Sequence, residues 1–545
     1  MTLEIRVAKP IDGPQLAAVF FDAFSHEFDR EMLPPNEPEV RAFMEKTILG
    51  DSESSEKGVT LKVVDPAHPD VIAGFAKWVF PIRGSDARHD SRPDQKPPNW
   101  PKGADPDLCK VFFSTMERNH KDVMGERPHY YLDILGVHSA YQGRGLASKL
   151  LKWGLERADQ EGLEVYLAAS PSGRPVYEKK GFEVVGNSSS PYPGYVQVCM
   201  LRPVQSKKDT GATGYIGGDA LSVIHDAHPD YSYVALVRSS EKADQVKSRF
   251  PNVQTVIGDL DDSALLKRES AAADIVLHTA DASDHEGAAK SIAAGLVAGH
   301  SQDKPGYWLH TGGTGILTFE DSDKESFGNK SDKVYNDWDG VTELLTLPDH
   351  AFHRNVDKIV LEAAEEHADV LRVALVCPPT IYGRGRGPGS QRGRQVYELA
   401  NVTLRLQKGP VIGEGDASWN NVHVHDLSTV YALLVEAAVA GRTDKGLWGP
   451  EAYYLTENGE HRWGDLAQAT AQTAAEQGFI PEAKAERIDL ESAKKYAGFE
   501  SLSWGMNSRG RALRAREILG WNPSSPSLLE ELPEIVRSEW QRLQK

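Results

Sequence analysis

Apolar residues recur along the chain with two periods, and their order divides it into two parts. In residues 1–203, alternating or continuous apolar runs predict strands at 60–64, 71–80, 130–137, 164–169 and 195–201. Helical spacing predicts helices at 144–162 and 174–180, with Leu146, Leu150, Leu151, Leu155 and Ala158 forming the apolar stripe of the first. A polar, proline-rich stretch near 82–106 reads as a long loop. Residues 204–209 are polar and read as a linker. From Thr210 onward strand and helix patterns alternate, as in parallel β-α-β units. Strands are expected there at 233–237, 253–258, 275–279, 307–310 and 371–377. Beyond about Val411 the alternation fades into a mixed lobe suited to holding a substrate.

Composition narrows the possible partners. The 545 residues are 40% apolar and 26% charged, as in an ordinary multidomain globular chain. The 61 Lys and Arg against 79 Asp and Glu give a net charge of −18. That balance argues against nucleic acid or an anionic membrane as partner, since phosphate binding needs a basic face. No apolar run approaches the ~20 residues of a membrane span, and MTLEIRVAKP lacks the apolar core of a secretory signal. Cys109, Cys199 and Cys377 form no CxxC pair, so they are expected in the core of a cytoplasmic protein without disulfides or zinc.

Candidate chemistry begins where the 130–137 strand runs through a short turn into the 144–162 helix, Leu132-Asp-Ile-Leu-Gly-Val-His-Ser-Ala-Tyr-Gln-Gly-Arg-Gly-Leu-Ala147. The first turn of a helix carries unpaired N–H groups and the positive end of the dipole. Gly143 and Gly145 remove side chains there, which lets a pyrophosphate approach the amides. The segment Gln142-x-x-Gly145-x-Ala147, with Tyr166-Leu-Ala-Ala-Ser170 and Pro175-Val-Tyr-Glu-Lys-Lys-Gly-Phe182, resembles the GNAT N-acetyltransferases over roughly residues 1–203. That resemblance implies acetyl-CoA as cosubstrate and a small-molecule amine as acceptor. It places pantetheine on the strand backbone at Leu135 and Val137. The pyrophosphate would sit on the amides of Gln142, Gly143, Arg144, Gly145, Leu146 and Ala147. Tyr177 would protonate the departing thiolate, and Asp133 is one candidate base, as are several acids of the preceding loop. Arg144 reads equally as a phosphate contact or a solvated helix residue.

The second part opens on Thr210-Gly-Ala-Thr-Gly-Tyr-Ile-Gly-Gly218, with glycines at 211, 214 and 217. Such a triplet permits a tight turn, close approach to a pyrophosphate and close helix packing. The 233–237 strand ends in Arg238 rather than an acid, which favours a 2′-phosphate and hence NADP over NAD. With Ile257-Gly-Asp-Leu-Asp261, Ile275-Val-Leu-His-Thr-Ala280, Cys377-Pro-Pro-Thr-Ile-Tyr-Gly383 and Val422-His-Val-His-Asp426, residues 210–545 resemble an extended or atypical short-chain dehydrogenase/reductase of the epimerase/dehydratase or NmrA-like kind. The resemblance implies cofactor contacts at Gly211, Thr213, Gly214, Tyr215, Ile216, Gly217, Asp259, Leu260, Thr279 and Ala280. Two departures stand out. Gln205-Ser-Lys-Lys-Asp209 precedes the glycines where a buried strand of ~5 apolar residues belongs. In the helix expected to carry Tyr-x-x-x-Lys, Lys358 suits the lysine but Arg354 stands in place of the tyrosine. Thr311 or Thr314 falls near the usual hydroxyl position.

The expected fold is α/β: a GNAT mixed sheet followed by a Rossmann-type doubly wound parallel sheet, its first strand missing, with a small C-terminal lobe. The expected function is acetyl-CoA-dependent N-acetylation joined to an NAD(P)-binding module that reduces or epimerises a small carbonyl or sugar-like compound. The alternatives are a non-catalytic NADP-sensing module, or a fusion produced by faulty gene assembly. No metal site is expected; His423 and His425 read as parts of a strand entering the lobe. Residues 383–394 place four arginines in a loop that either clamps an anion or is solvated.

Overall fold

The computed structural model describes residues 4–50, 57–65, 68–81, 100–161, 163–189, 195–203, 211–498 and 500–544. The chain forms two compact units, 1–208 and 209–545. The predicted linker at 204–209 and most of the predicted proline-rich loop lie outside the described residues.

The first unit runs β1 (Glu4–Val7), α1 (Gly13–Ala23), α2 (Glu27–Met32), α3 (Pro38–Leu49), β2 (Gly58–Asp65), β3 (His68–Val79), α4 (Pro106–Met124), β4 (His129–Val137), α5 (Leu146–Glu161), β5 (Glu164–Ala169), α6 (Arg174–Glu178), β6 (Glu183–Ser189) and β7 (Val196–Arg202). Its seven strands lie in the order β1-β2-β3-β4-β5-β7-β6. All neighbours are antiparallel except β4 and β5. Helix α5 seats its predicted leucine stripe on one face of the sheet, over Trp78. A side chain at Gly154 would come within 2.3 Å of that indole, so glycine sets the helix–sheet distance. The other face is covered by α1, α3 and α4 around Phe28, Phe75 and Phe112. Helix α4 escaped the sequence reading because its buried residues, Cys109, Phe112, Thr115 and Met124, are few and interrupted by exposed Val111 and Phe113. Its start is nonetheless standard, with Asp105 accepting the Asp107 and Leu108 N–H groups and Pro106 in the first turn. The polar edge strand β6 was likewise not expected.

The decisive feature of this sheet is a parting of strands. Strand β4 pairs with β5 only over His129–Leu132, whereas β3 accompanies it to Val137. The β3–β4 register steps from Lys77↔Ile134 to Trp78↔Leu132, which makes Asp133 a bulge. Beyond it β5 stays with β7, and the β5-facing edge of β4 is left open.

The second unit continues with α7 (Tyr215–Ala227), β8 (Val234–Val237), α8 (Ser240–Arg249), β9 (Gln254–Ile257), α9 (Ser263–Ala272), β10 (Ile275–His278), α10 (Glu286–Gly299) and β11 (Gly306–Thr311). Then come α11 (Phe319–Asp323), β12 (Tyr335–Asn336), α12 (Val341–Leu345), α13 (Arg354–Glu366), β13 (Leu371–Cys377), β14 (Thr380–Tyr382), α14 (Gln395–Leu406), β15 (Gly409–Ile412), β16 (Ser418–His423), α15 (Val424–Val439) and β17 (Tyr453–Leu455). Its main sheet is parallel, in the order β10-β11-β13-β17. A separate parallel pair, β8-β9, stands apart from it, and among the described residues no strand joins the two. Gly211 lies between them: a Cβ there would be 3.5 Å from Ala280 Cβ, beyond β10, and 3.9 Å from the Leu236 carbonyl in β8. Burial marks the same gap, for Ile275, Val276 and Leu277 of β10 are half-buried while β11 and β13 are almost wholly buried. The sheet is thus split among the described residues, and the segment expected to lack the first strand lies outside them. A second core, built from Tyr382, Trp419, Trp463, Trp504 and the helix Leu528–Leu543, forms the C-terminal lobe and begins upstream of the expected boundary near 411.

Candidate functional site

In the first unit the parted strands open into a cavity of about 1800 Å³. The His138 N–H donates to the Ala73 carbonyl of β3 at 3.0 Å. Strand alternation therefore turns the backbone groups of His138 and Gly136 towards β3, and those of Leu135 and Val137 towards the cavity. Val137 O accepts the Gln142 side-chain amide at 3.1 Å, which ties the open edge to the turn that follows. Gly143 and Gly145 both have φ of +74°, a left-handed conformation that favours glycine, and a Cβ on either would meet nothing within 4 Å. The start of α5 is thus open at both glycines, while the Gln142 N–H is already donated to Ser139 O at 3.3 Å. Gln142, Gly143, Gly145, Leu146 and Ala147 line the cavity, and so do Leu135 and Val137. Arg144 is exposed, lies over the Tyr141 ring and donates to Ala140 O.

Tyr177 lines the same cavity and packs edge-on against Phe182. Burial pushes its phenol up to about 12, so it is protonated at neutral pH. Among the described residues its hydroxyl has no hydrogen-bond partner. Asp133 also lines the cavity, but its carboxylate is 2.8 Å from Lys77 Nζ. The lysine already engages that carboxylate, which suits it to orienting an amine. Among the ionisable residues of this wall that were not singled out from the sequence are Asp29, Glu117 and His120. Burial raises the Asp29 carboxyl to about 6, against the opposing His26. His120 and Glu117 sit on α4, and an unpredicted helix cannot be searched for a site.

In the second unit Gly214 caps α7 without a side-chain bond, which leaves the first-turn amides, including those of Tyr215 and Ile216, directed beyond the helix start. Gly211 has φ of +62°. A Cβ at Gly217 would fall 2.2 Å from Thr279 Oγ1 and 2.3 Å from Gly211 O, so the third glycine serves close packing. Backbone geometry of this kind fits a dinucleotide pyrophosphate. Around the turn stand the exposed Arg238 after β8, Asp259 and Leu260 after β9, and Thr279 and Ala280 after β10, all at the C-terminal ends of parallel strands. Asp259 Oδ1 accepts the Asp261 N–H at 2.9 Å. The 383–394 loop is neither a free clamp nor a solvated tail. Arg386 makes a bidentate pair with the fully buried Asp219 of α7, Ser390 N–H donates to Thr213 O, and Tyr215 donates its hydroxyl proton to Gly383 O. Gly387 and Gly389 permit this contact, since side chains there would collide with Gly218 and Thr213. Arg392 and Arg394 pair with Glu539 and Glu500.

The expected catalytic helix, α13, is arranged differently from its sequence reading. Lys358 is engaged by Asp349 at 2.9 Å in a solvent-exposed pair. Arg354 is buried and donates to Leu345 O. The residue that rests on the turn after β11 is His353, with φ of +70°. A Cβ on Gly313 or Gly315 would lie 3.4 or 3.5 Å from its Nε2, and its Nδ1 is 2.7 Å from Asp284 Oδ1. Thr311 shares a 2.6 Å hydrogen bond with Tyr431, and Thr314 lies in the turn beside His353. His423 ends β16 and its Nδ1 accepts the His425 N–H, so His425 belongs to the first turn of α15 and the two do not share a strand face. Cys377 is buried beside Tyr453 and Asp357, and all three cysteines are buried and free.

Comparison with known proteins gives two family matches: an acetyltransferase (GNAT) domain at residues 118–191 and an NAD(P)H-binding domain at residues 211–302. The chain is 39% identical over 340 residues to the oxidase ucsJ of Acremonium sp., spanning 61% of this chain and 97% of that one. A match of that length exceeds the first unit and so extends into the second. The chain belongs to the ucsJ family. It is 38% identical over 134 residues to an acetyltransferase of Stachybotrys chartarum, covering 23% of this chain and 55% of that protein. Among solved structures, DesIV, a dTDP-glucose 4,6-dehydratase from Streptomyces venezuelae, is 15% identical over 61% of this chain and 95% of that one, with a TM-score of 0.43. No described helix is long and apolar enough to cross a membrane.

Proposed function

We propose that the first unit transfers an acetyl group from acetyl-CoA to a small-molecule amine by direct attack. The observation that carries this reading is the convergence, in one cavity, of the open β4 edge, the amides at Gly143 and Gly145, and the Tyr177 hydroxyl. The edge groups of Leu135 and Val137 would pair with pantetheine, and the first-turn amides would hold the pyrophosphate. As the C–N bond forms and the C–S bond breaks, Tyr177 gives its proton to sulfur. Calorimetry with acetyl-CoA and an acetyl-transfer assay over a panel of primary amines test it. Binding without transfer to any amine would overturn the catalytic reading.

The second unit we read as an NADP-binding module. Kinship to an oxidase favours a redox reaction on a small carbonyl or alcohol. Arg354 in place of a tyrosine, and the Lys358–Asp349 pair, favour the second reading, in which the cofactor is bound without tyrosine-driven turnover. The open amides of α7 would take the pyrophosphate and Arg238 the 2′-phosphate. Tighter binding of NADP than of NAD is expected, and Arg238→Ala should abolish that preference. Oxidation of NADPH by a carbonyl panel separates the two readings.

A further inference from the structure

We infer that the acceptor of the first unit is a primary amine with one positive charge and an aromatic body, an assignment that rests on the acetyltransferase reading above. The cavity is lined from both faces of the sheet. Gly143, Gly145 and Leu146 come from the start of α5 on one face, and the helices covering the other face supply a wall of rings. Phe20 of α1 stacks on Phe24, 4.7 Å between centroids. Phe43 of α3 stands edge-on to Trp100 at 5.9 Å, and Trp100 stacks on Phe113 of α4 at 5.3 Å. Phe113 in turn meets Phe112 edge-on at 5.3 Å. All six rings line the cavity.

Exposure separates this wall from an ordinary core. Phe112 is 8% exposed, but its neighbour Phe113 is 38% exposed. Phe20, Phe24, Phe43 and Trp100 are half-buried. The ring that interrupts the buried stripe of α4 is therefore one that faces the cavity. Apolar surface left open in a cleft is stabilised when an apolar ligand covers it, and ring faces also attract a cation. At about 1800 Å³ the cavity exceeds the ~300–1,000 Å³ of a site for one small molecule, which leaves room for a coenzyme and an acceptor together. With the coenzyme on the β4 edge and the α5 turn, its thioester end comes to the parting of β4 and β5. The acceptor then meets it from the ring-lined face.

Charge fixes the other end of the acceptor. Lys77 Nζ donates to Thr47 O of α3 at 2.7 Å and lies 2.8 Å from the Asp133 carboxylate, so this pair belongs to the same face as the rings. Asp133 is the β4 bulge, two residues before Leu135, and stands beside the edge that would receive pantetheine. Its carboxylate can orient an ammonium by a charge-assisted hydrogen bond while the body of the amine lies on the rings. Polycations suit the wall poorly. Among the described lining residues three carboxylates, Asp29, Glu117 and Asp133, are offset by three lysines. A polyamine would bring surplus positive charge to a surface with no negative excess to receive it.

The test uses the full chain, acetyl-CoA and three amines: 2-phenylethylamine, ethanolamine (of similar basicity but without a ring) and spermidine. Burying one phenyl ring should give 2-phenylethylamine a kcat/KM about 100-fold above the other two. Phe113→Ala should raise the KM for 2-phenylethylamine about tenfold, with the loss on KM rather than kcat, so its preference over ethanolamine falls tenfold. Asp133→Asn should lower kcat/KM about tenfold for both amines and leave their ratio alone. Both variants should bind acetyl-CoA as wild type does in calorimetry, which shows that they fold; where one does not, the wild-type preference decides. Ethanolamine or spermidine used as efficiently as 2-phenylethylamine, or an unchanged ratio in Phe113→Ala, overturns the aromatic acceptor while leaving acetyl transfer intact. Wild-type rates in Asp133→Asn overturn the placement of the ammonium. A wild-type chain that binds acetyl-CoA yet acetylates no primary amine overturns this inference and the acetyltransferase reading together.

Discussion

The chain contains two glycine turns that look alike in sequence and are built for opposite ends. Gly143 and Gly145 open onto empty space beside a strand edge, at the mouth of a large cavity. Gly217 is crowded by Thr279 and by the Gly211 carbonyl, Gly211 has a left-handed φ of +62°, and the 383–394 loop is buckled over the helix they start. The first turn is fed by a complete strand, β4; the second lies between two sheet fragments that no described strand joins. Glycine in the first is there for a ligand to approach, and in the second largely for the protein to approach itself. A glycine pattern therefore reports close approach without saying what approaches.

The sharpest way to break the comparison is to unbuckle the second turn. Arg386→Ala strands the buried Asp219 carboxylate and should cost about 3–5 kcal/mol, read as a fall in Tm. Burial alone would raise the Asp219 carboxyl, but the backbone and side-chain hydrogen bonds from Arg386 and its charge outweigh it and hold it below the ordinary value. A depressed carboxyl stabilises the fold above the unfolded pKa of about 3.9, and that stabilisation is lost as pH falls through the folded value. The Tm gap between wild type and Arg386→Ala should therefore close in acid.

Next in size is a repair. Inserting five apolar residues between Asp209 and Thr210 should complete the sheet and bury Ile275, Val276 and Leu277 at about 1 kcal/mol each. Thermal shift should show a gain of about 6 °C and tighter NADP binding; an unchanged Tm would mean that the gap does not accept a strand. Tyr177→Phe should lower acetyl transfer about 100-fold, or ~2.7 kcal/mol, with acetyl-CoA affinity unchanged in calorimetry. The smallest effects contrast the turns directly. Gly217→Ala overpacks against Thr279 and Gly211 and should cost about 1–3 kcal/mol. Gly145→Ala meets no atom and should cost only the ~1 kcal/mol of its left-handed backbone, while weakening acetyl-CoA binding.

Local pattern made much of this legible. The 130–137 strand and its glycine turn, the apolar stripe of α5 and the parallel strands after Thr210 follow from side-chain period and backbone freedom, which are properties of short segments. Helix α4 was hidden because its short buried stripe is broken by exposed Val111 and Phe113, and with it went His120. The His120–His129 contact joins two separate elements, and spacing carries no trace of that. His353 stood one residue from the helix position searched for a tyrosine; its left-handed φ and its Asp284 partner become visible only with the β10 and β11 turns in place.

From the sequence alone came the two-part α/β organisation, the two glycine turns with their coenzyme classes, and the absence of an apolar strand before Gly211. Each is written in a few adjacent residues, because strand pairing, helix dipoles and φ > 0 turns act over one or two turns of chain. Tertiary structure decided which turn opens to a cavity and which arginines are consumed by buried carboxylates. Those outcomes depend on desolvation and on partners tens to hundreds of residues away, and such distances are set only when the elements pack.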